Sequence, residues 1–235
     1  MTPIRPTFLI LNAGKLREFR QRRPDLVAAA EDLLWYAWQI SSMIGHLDDL
    51  FTVGAIVGVQ ELHEYHRQSC LLTVQGAPNI GMALTRMGCE LSRDILTMAR
   101  DKELERLWWQ SRSKKTKRFR KAFRFGETGA EGGLHKLYNI ASSFGVHGHI
   151  LPVVEQGSFT SLAGKEFTRL GADPSWIEQS FGMNLSGLQL FLLAFLVRHG
   201  EVFASCEDED VRADAKSMAQ AIPTINIDFK GAVRL

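Results

Sequence analysis

The segment IGMALTRMGCELSRDILTM, residues 80–98, decides the fold class of this chain. Its apolar residues recur at steps of three and four, which is the period of an α-helix. The stripe consists of Ile80, Leu84, Met87, Leu91, Ile95 and Met98. Arg86, Glu90 and Arg93 lie on a polar flank of the same helix, at spacings that allow ion pairs. The pattern therefore predicts a long amphipathic helix that packs its apolar face against a core.

Helical patterns of the same kind extend over most of the chain. Long helices are predicted at about 25–44, 47–72, 102–123 and 134–144, separated by segments that contain Gly or Pro. The remaining predictions are helices at about 163–170, 174–181, 185–199 and 208–221, and an extended segment at 224–229. Several long helices with short connections bury their apolar faces best against one another. The predicted fold class is therefore all-α, a multi-helix bundle with a buried apolar C-terminal helix.

The most apolar run, residues 190–197, belongs to the helix predicted near the C-terminus. Asn184, Ser186 and Gln189 interrupt the apolar pattern before it, and a membrane-spanning helix needs about 20 consecutive apolar residues. The run therefore predicts a buried core helix without membrane contact. Around Gly182 the sequence also matches a helix-turn-helix in part. Because its second helix is too apolar to contact base edges, a helical corner in the core is the preferred interpretation.

Length and composition favour one intracellular domain. The chain has 235 residues, of which 45% are hydrophobic and 23% are charged, and this is enough for a single core. One domain over 1–235 is predicted, with a subdivision near the glycine-rich residues 126–133 as the alternative. The three cysteines form no CxxC pair, and the apolar run at 8–11 is too short for a signal peptide. A reducing, cytoplasmic location is therefore expected.

The highest density of charge lies between Lys102 and Arg124. This segment contains ten Lys or Arg residues and two Glu residues, a net charge of +8, whereas the whole chain carries +2 and the remainder therefore −6. Such a cluster is typical of a surface that contacts nucleic acid or another polyanion. The candidate binding residues are Arg112, Lys114, Lys115, Lys117, Arg118, Arg120, Lys121 and Arg124. The alternative is a solvated helix whose cations pair with carboxylates of the chain, including those at 207–210.

Two groups of residues keep an enzyme among the alternatives. Tyr138 and Ser142 are one helical turn apart and His147 follows the end of that helix, which is compatible with a hydrolase that uses a Ser–His pair. No acid that would orient the histidine is evident, so a polar network at the helix end is preferred. The histidines at metal-ligand spacings are His63, His66, His147 and His149. Because these spacings are nonspecific, neither a metal nor another cofactor is predicted.

One further pattern combines an Arg and a Glu one turn apart on one helix with a Tyr, a Ser and a His near the end of a later helix. The residues are Arg86, Glu90, Tyr138, Ser142 and His147. Over about residues 60–150 the chain thereby resembles a group of bacterial all-helical domains of unknown function. The resemblance implies a helical bundle, but it brings no established activity. The five residues are the candidates for a catalytic role. The HEPN ribonuclease motif, an Arg followed four to six residues later by a His, does not occur in the sequence, which argues against ribonuclease activity.

These patterns together favour an intracellular, all-helical binding protein over an enzyme. The predicted contact is the basic helix, and the predicted partner is a nucleic acid or another polyanion. One alternative is a hydrolase with Ser142 and His147 or with a histidine metal site. Another is a structural subunit of a larger assembly, in which the basic helix packs against an acidic protein surface.

Overall fold

The computed structural model describes residues 7–111, 116–145, 157–162, 165–172, 174–228 and 232–234. Within these residues the fold is a bundle of helices with two small β-hairpins, which confirms the predicted all-α class. The helices are α1 (Thr7–Arg22), α2 (Pro24–His46), α3 (Val53–Val74), α4 (Pro78–Met98), α5 (Lys102–Gln110), α6 (Lys117–Ala122), α7 (Gly129–Gly145), α8 (Pro174–Ala204) and α9 (Glu209–Ala221). The antiparallel hairpins pair β1 (Gly157–Leu162) with β2 (Lys165–Ala172) and β3 (Asn226–Asp228) with β4 (Ala232–Arg234).

Helix α8 is the central element of the bundle. Helices α2, α3, α4, α7 and α9 all pack against it. In the described part of the chain it is the one helix long and apolar enough to cross a membrane, yet 78% of its most apolar 18-residue window is buried inside the fold. The predicted buried apolar C-terminal helix is therefore confirmed.

Helix α8 is also longer than the sequence pattern predicted. It runs without a break for 31 residues, so the predicted corner at Gly182 is wrong, and the helix-turn-helix is wrong with it. Packing against neighbours on several sides stabilises an unbroken helix, and this outweighs the cost of its three glycines, Gly182, Gly187 and Gly200.

Helices α3 and α4 form an antiparallel pair joined by a tight turn. Gly76 in this turn has φ +92°, a conformation that favours glycine. The ammonium group of Lys15 donates to the carbonyl oxygen of Gln75 at 2.9 Å. At the opposite end of the pair, Thr52 caps α3 and donates its hydroxyl proton to the carbonyl oxygen of Met98 at 3.2 Å. The two ends of the α3–α4 pair are thus held by hydrogen bonds as well as by packing.

The buried face of α4 differs from the predicted apolar stripe. Ile80 and Met87 are 55% and 44% exposed, so the prediction is wrong at these two positions. The residues that are buried instead include Met82, Thr85, Cys89 and Ser92. Helices α3, α7 and α8 all contact α4, and small side chains allow the close approach: a Cβ added at Gly88 would lie 2.8 Å from the Nε2 of His66. Packing on several sides therefore selects a face richer in small and polar residues.

Two other predicted helices are wrong. The single helix expected at 102–123 is divided into α5, which ends with Ser111 as its C-cap, and α6, which begins after Thr116. The hydroxyl of Thr116 accepts a hydrogen bond from the N–H of Phe119 and so starts a new helix. The helix expected at 163–170 overlaps strand β2, which pairs with β1. Strand pairing depends on a partner segment, which a local helical period does not reveal.

The glycine-rich residues 126–133 begin a helix, although a flexible break was predicted there. Helix α7 starts at Gly129, which has φ +58°, and it includes Gly132 and Gly133. A Cβ added at Gly133 would lie 2.9 Å from the Cδ2 of Leu190 in α8. This glycine therefore allows α7 to pack closely against the central helix.

Candidate functional site

Residues 117–124, which we call the basic stretch, lie on the surface of the bundle. Phe119 and Phe123 are only 4% and 3% exposed, and their rings stack with centroids 4.3 Å apart. These two rings attach one side of the stretch to the core. The exposed residues on its other side include the cations Lys117, Arg118, Arg120, Lys121 and Arg124. The stretch therefore presents five positive charges and no negative charge to solvent.

The five cations of the basic stretch form no ion pair within the part of the chain that the structure describes. Cations elsewhere do: Arg22 and Arg23 both contact the carboxylate of Glu178, at 2.8 and 3.0 Å. Pairing with the carboxylates at 207–210, the alternative interpretation of the sequence, is therefore not observed for these five. The other predicted binding residues, Arg112, Lys114 and Lys115, lie outside the described residues.

A cavity beside α6 contains carboxylates among its lining residues. This cavity of about 320 Å³ is lined by Phe119 and Trp108 together with the carboxylates of Glu61, Glu90 and Asp94. The indole Nε1 of Trp108 donates to the carboxylate of Asp94 at 3.0 Å. Phe119 is the one residue of the basic stretch that lines this cavity; the five cations of the stretch are not among the lining residues.

Aromatic rings continue the surface beyond Arg124. The ring of Phe125 stacks on that of His135 in α7, with centroids 5.1 Å apart and planes within 2° of parallel. Phe125 also contacts the ring of Tyr138 at 5.2 Å, and the guanidinium carbon of Arg93 lies 5.1 Å from its centroid. Phe125 is half-buried and His135 is exposed. Exposed cations followed by rings are typical of surfaces that bind nucleic acid.

The structure brings together three of the five predicted catalytic residues. Arg86 pairs with Glu90 at 3.0 Å and donates to the hydroxyl of Tyr138 at 3.4 Å. Ser142 does not join them, because its hydroxyl donates to the main-chain carbonyl of Tyr138 at 2.7 Å. His147 lies outside the described residues. A serine that bonds to its own helix backbone is typical of a structural position, and this geometry does not activate Ser142 as a nucleophile.

Of the four histidines predicted at metal-ligand spacings, the structure describes His63 and His66. In the described part of the chain, no three His, Cys, Asp or Glu side chains lie close enough together to hold a metal ion. The ring of His63 meets that of Trp38 edge-on at 6.3 Å, and burial lowers the pKa of His63. His66 is buried in the core, whereas His147 and His149 lie outside the described residues.

His66 belongs to a buried polar network that links α3, α4 and α8. Asn184 is its centre: its Nδ2 donates to the main-chain carbonyl of His66 at 3.0 Å, so its Oδ1 faces the Nδ1 of His66 at 2.8 Å. The hydroxyl of Thr85 donates to the same Oδ1 at 3.1 Å and lies 3.1 Å from the hydroxyl of Ser69. The sequence signal for this network was an amide that interrupts an apolar helix, since a buried amide requires partners.

The groups of this network are neutral. Burial lowers the pKa of His66 to about 4, because the charged imidazolium loses its hydration. The Oδ1 of Asn184 accepts a hydrogen bond from the Nδ1 of His66, so Nδ1 carries the ring proton. The Nε2 of His66 has no hydrogen-bond partner among the described residues. The Nδ2 of Asn184 also donates to the sulfur of Cys70 at 3.0 Å, and burial raises the pKa of this thiol to about 12, so it is protonated at neutral pH. These properties indicate a structural network and not a site of acid–base catalysis.

A scan against protein-family models, a search of curated proteins and a search of solved structures each find nothing that matches this chain. The resemblance to bacterial all-helical domains therefore stays a prediction.

Proposed function

We propose that this chain is an intracellular binding protein that contacts the phosphates of a nucleic acid through the basic stretch, residues 117–124. The observation that supports the proposal is the exposure of five cations that have no carboxylate partner in the described part of the chain. A phosphate contact at such a cation breaks no internal ion pair, so the contact keeps its full electrostatic gain.

The charge distribution of the whole chain supports the same surface. The segment from Lys102 to Arg124 carries +8 while the remainder carries −6. A polyanion is repelled by most of the molecule and attracted to this segment, which orients it during the encounter. The burial of Phe119 and Phe123 holds the cations on a fixed support. A fixed support lowers the entropic cost of ordering these side chains when a ligand binds.

Binding through five phosphate contacts has a defined dependence on salt. Each contact releases roughly 0.7 counterions from a single strand and roughly 0.9 from a duplex. The logarithm of the association constant should therefore fall with the logarithm of salt concentration with a slope of about −3.5 to −4.5. Between 50 and 200 mM salt this corresponds to a loss of roughly 100-fold or more.

The test is fluorescence anisotropy with labelled RNA and DNA at two salt concentrations. One variant carries Gln in place of all five cations of the basic stretch: Lys117, Arg118, Arg120, Lys121 and Arg124. We expect its affinity at low salt to fall at least 30-fold and its salt dependence to flatten, because the phosphate contacts are lost. An affinity equal to that of the unmodified chain would overturn the proposal.

A matched control removes the same number of positive charges from other exposed positions. It carries Gln in place of Arg17, Arg20, Arg22, Arg100 and Lys216. We expect this control to lose much less affinity, because general attraction is screened over about 10 Å in 0.1 M salt. Equal losses in the two variants would mean that net charge, and not the basic stretch, governs binding.

A further inference from the structure

We infer that the nucleic acid bound by this chain is single-stranded, and that one of its unpaired bases stacks on the exposed ring of His135. This inference rests on the proposed function and specifies its ligand. It follows from the position of the aromatic rings next to the basic stretch. A phosphate contact at Arg124 is followed directly by Phe125, whose ring lies against His135.

One face of the His135 ring is covered by the ring of Phe125. The covered face lies parallel to Phe125, with centroids 5.1 Å apart, while the residue as a whole is exposed. An added base would continue this stack as a third layer. Imidazole and benzene rings are common stacking partners of nucleobases in proteins.

The ring beneath His135 is held in place by its own contacts. The rings of Phe125 and Tyr138 lie 5.2 Å apart, and the guanidinium of Arg93 covers Phe125 at 5.1 Å. Arg93 is in turn hydrogen-bonded to the carboxylate of Asp94 at 2.6 and 2.8 Å. The stacking surface is therefore ordered before a ligand arrives, which favours binding.

The geometry selects a single strand because bases in a duplex already stack on their neighbours and expose only their edges. A flexible single strand can place phosphates on the cations of residues 117–124 and turn the next base onto His135. The exposed cation Lys136 follows His135 directly and can hold a further phosphate. Each base stacked on an aromatic ring strengthens binding by roughly 5- to 150-fold.

The experiment compares three labelled probes of equal length with the full chain: a single-stranded DNA, the same backbone with abasic sites throughout, and a blunt duplex. Anisotropy is measured for the unmodified chain, for His135→Ala and for the control His46→Ala, which removes another exposed histidine. We expect the unmodified chain to bind the strand with bases about tenfold more tightly than the abasic strand. His135→Ala should abolish this tenfold difference and leave the affinity for the abasic strand unchanged. The control His46→Ala should bind all three probes as the unmodified chain does.

Other outcomes separate this inference from the proposed function. Equal affinity of the unmodified chain for the strand with bases and the abasic strand would overturn base stacking and leave phosphate binding intact. Preference for the duplex, or equal weakening of both single strands by His135→Ala, would overturn it as well. Failure of the unmodified chain to bind any probe at low salt would remove the proposed function itself.

Discussion

The polar groups of the network around Asn184 are buried and hydrogen-bonded, whereas those of the basic stretch are exposed to solvent. In the network, the side chains of His66 and Thr85 are both hydrogen-bonded to the Oδ1 of Asn184 inside the bundle. In the basic stretch, residues 117–124, five cations remain in water without a carboxylate partner among the described residues. An unpaired buried polar group costs about 1–3 kcal/mol, whereas an exposed cation keeps its hydration. Internal polar contacts therefore hold the helices together, while the external charges are available to a partner.

The largest effect should come from breaking the network at its centre. Asn184→Ala removes the acceptor of the His66 ring proton and leaves a cavity between α3, α4 and α8. We expect the free energy of unfolding to fall by about 4 kcal/mol, from the unpaired groups and the lost packing together. Urea denaturation followed by circular dichroism measures this change.

The control for this substitution is another asparagine, Asn139, which is exposed on α7. Asn139→Ala should change the free energy of unfolding by less than about 0.5 kcal/mol, as is usual at the surface. If Asn184→Ala lowered the free energy of unfolding no more than the control does, the network would not stabilise the bundle.

An intermediate effect should come from acid, which charges the network. The pKa of His66 is lowered from 6.5 to about 4 in the fold, so the folded state prefers the neutral ring. This contribution is complete above pH 6.5 and decreases as the pH falls from 6.5 towards 4. By pH 4 we expect a loss of about 3 kcal/mol from His66. Urea denaturation at pH 7 and pH 4 measures the total loss, to which His199 also contributes because burial lowers its pKa to about 4 as well.

An NMR titration of the histidine ring protons sharpens this prediction. The signal of His66 should not shift above about pH 5, because burial lowers the pKa of its ring to about 4. Titration of His66 near pH 6.5 would show that the ring is hydrated and that its burial does not exclude the charged form.

The smallest effect on stability should come from the basic stretch. Replacing its five cations with Gln should change the free energy of unfolding by less than about 1 kcal/mol, and in the stabilising direction, because mutual repulsion is removed and no ion pair among the described residues is lost. The same urea denaturation measures it. A loss of several kcal/mol would show that the fold depends on these cations, which would contradict the second half of the comparison.

Local periodicity predicted many of the helices but not all of their boundaries. Helices α2, α4, α7 and α9 lie close to their predicted positions, since each has an apolar period or a capping residue of its own, such as Asp208 before α9. The break between α5 and α6 and the continuity of α8 through Gly182 were missed. Both depend on capping or packing contacts that a helical period does not encode.

The candidate site divides in the same way. The Arg86–Glu90 ion pair follows from a spacing of four residues on one helix and was predicted. The stacking of Phe125 on His135 joins a loop to α7, and no pattern in the sequence predicts this contact. Tyr138 was predicted as a partner of Ser142, but its hydroxyl meets Arg86 on another helix.

The sequence by itself determined the helical class and the concentration of positive charge in one segment, because both depend on the order and type of neighbouring residues. Only the tertiary structure decided which face of each helix is buried, which cations of residues 117–124 remain unpaired and which rings stand beside them. The physical reason is that burial and pairing are properties of contacts between segments far apart in the chain. Their outcome depends on how the helices pack together.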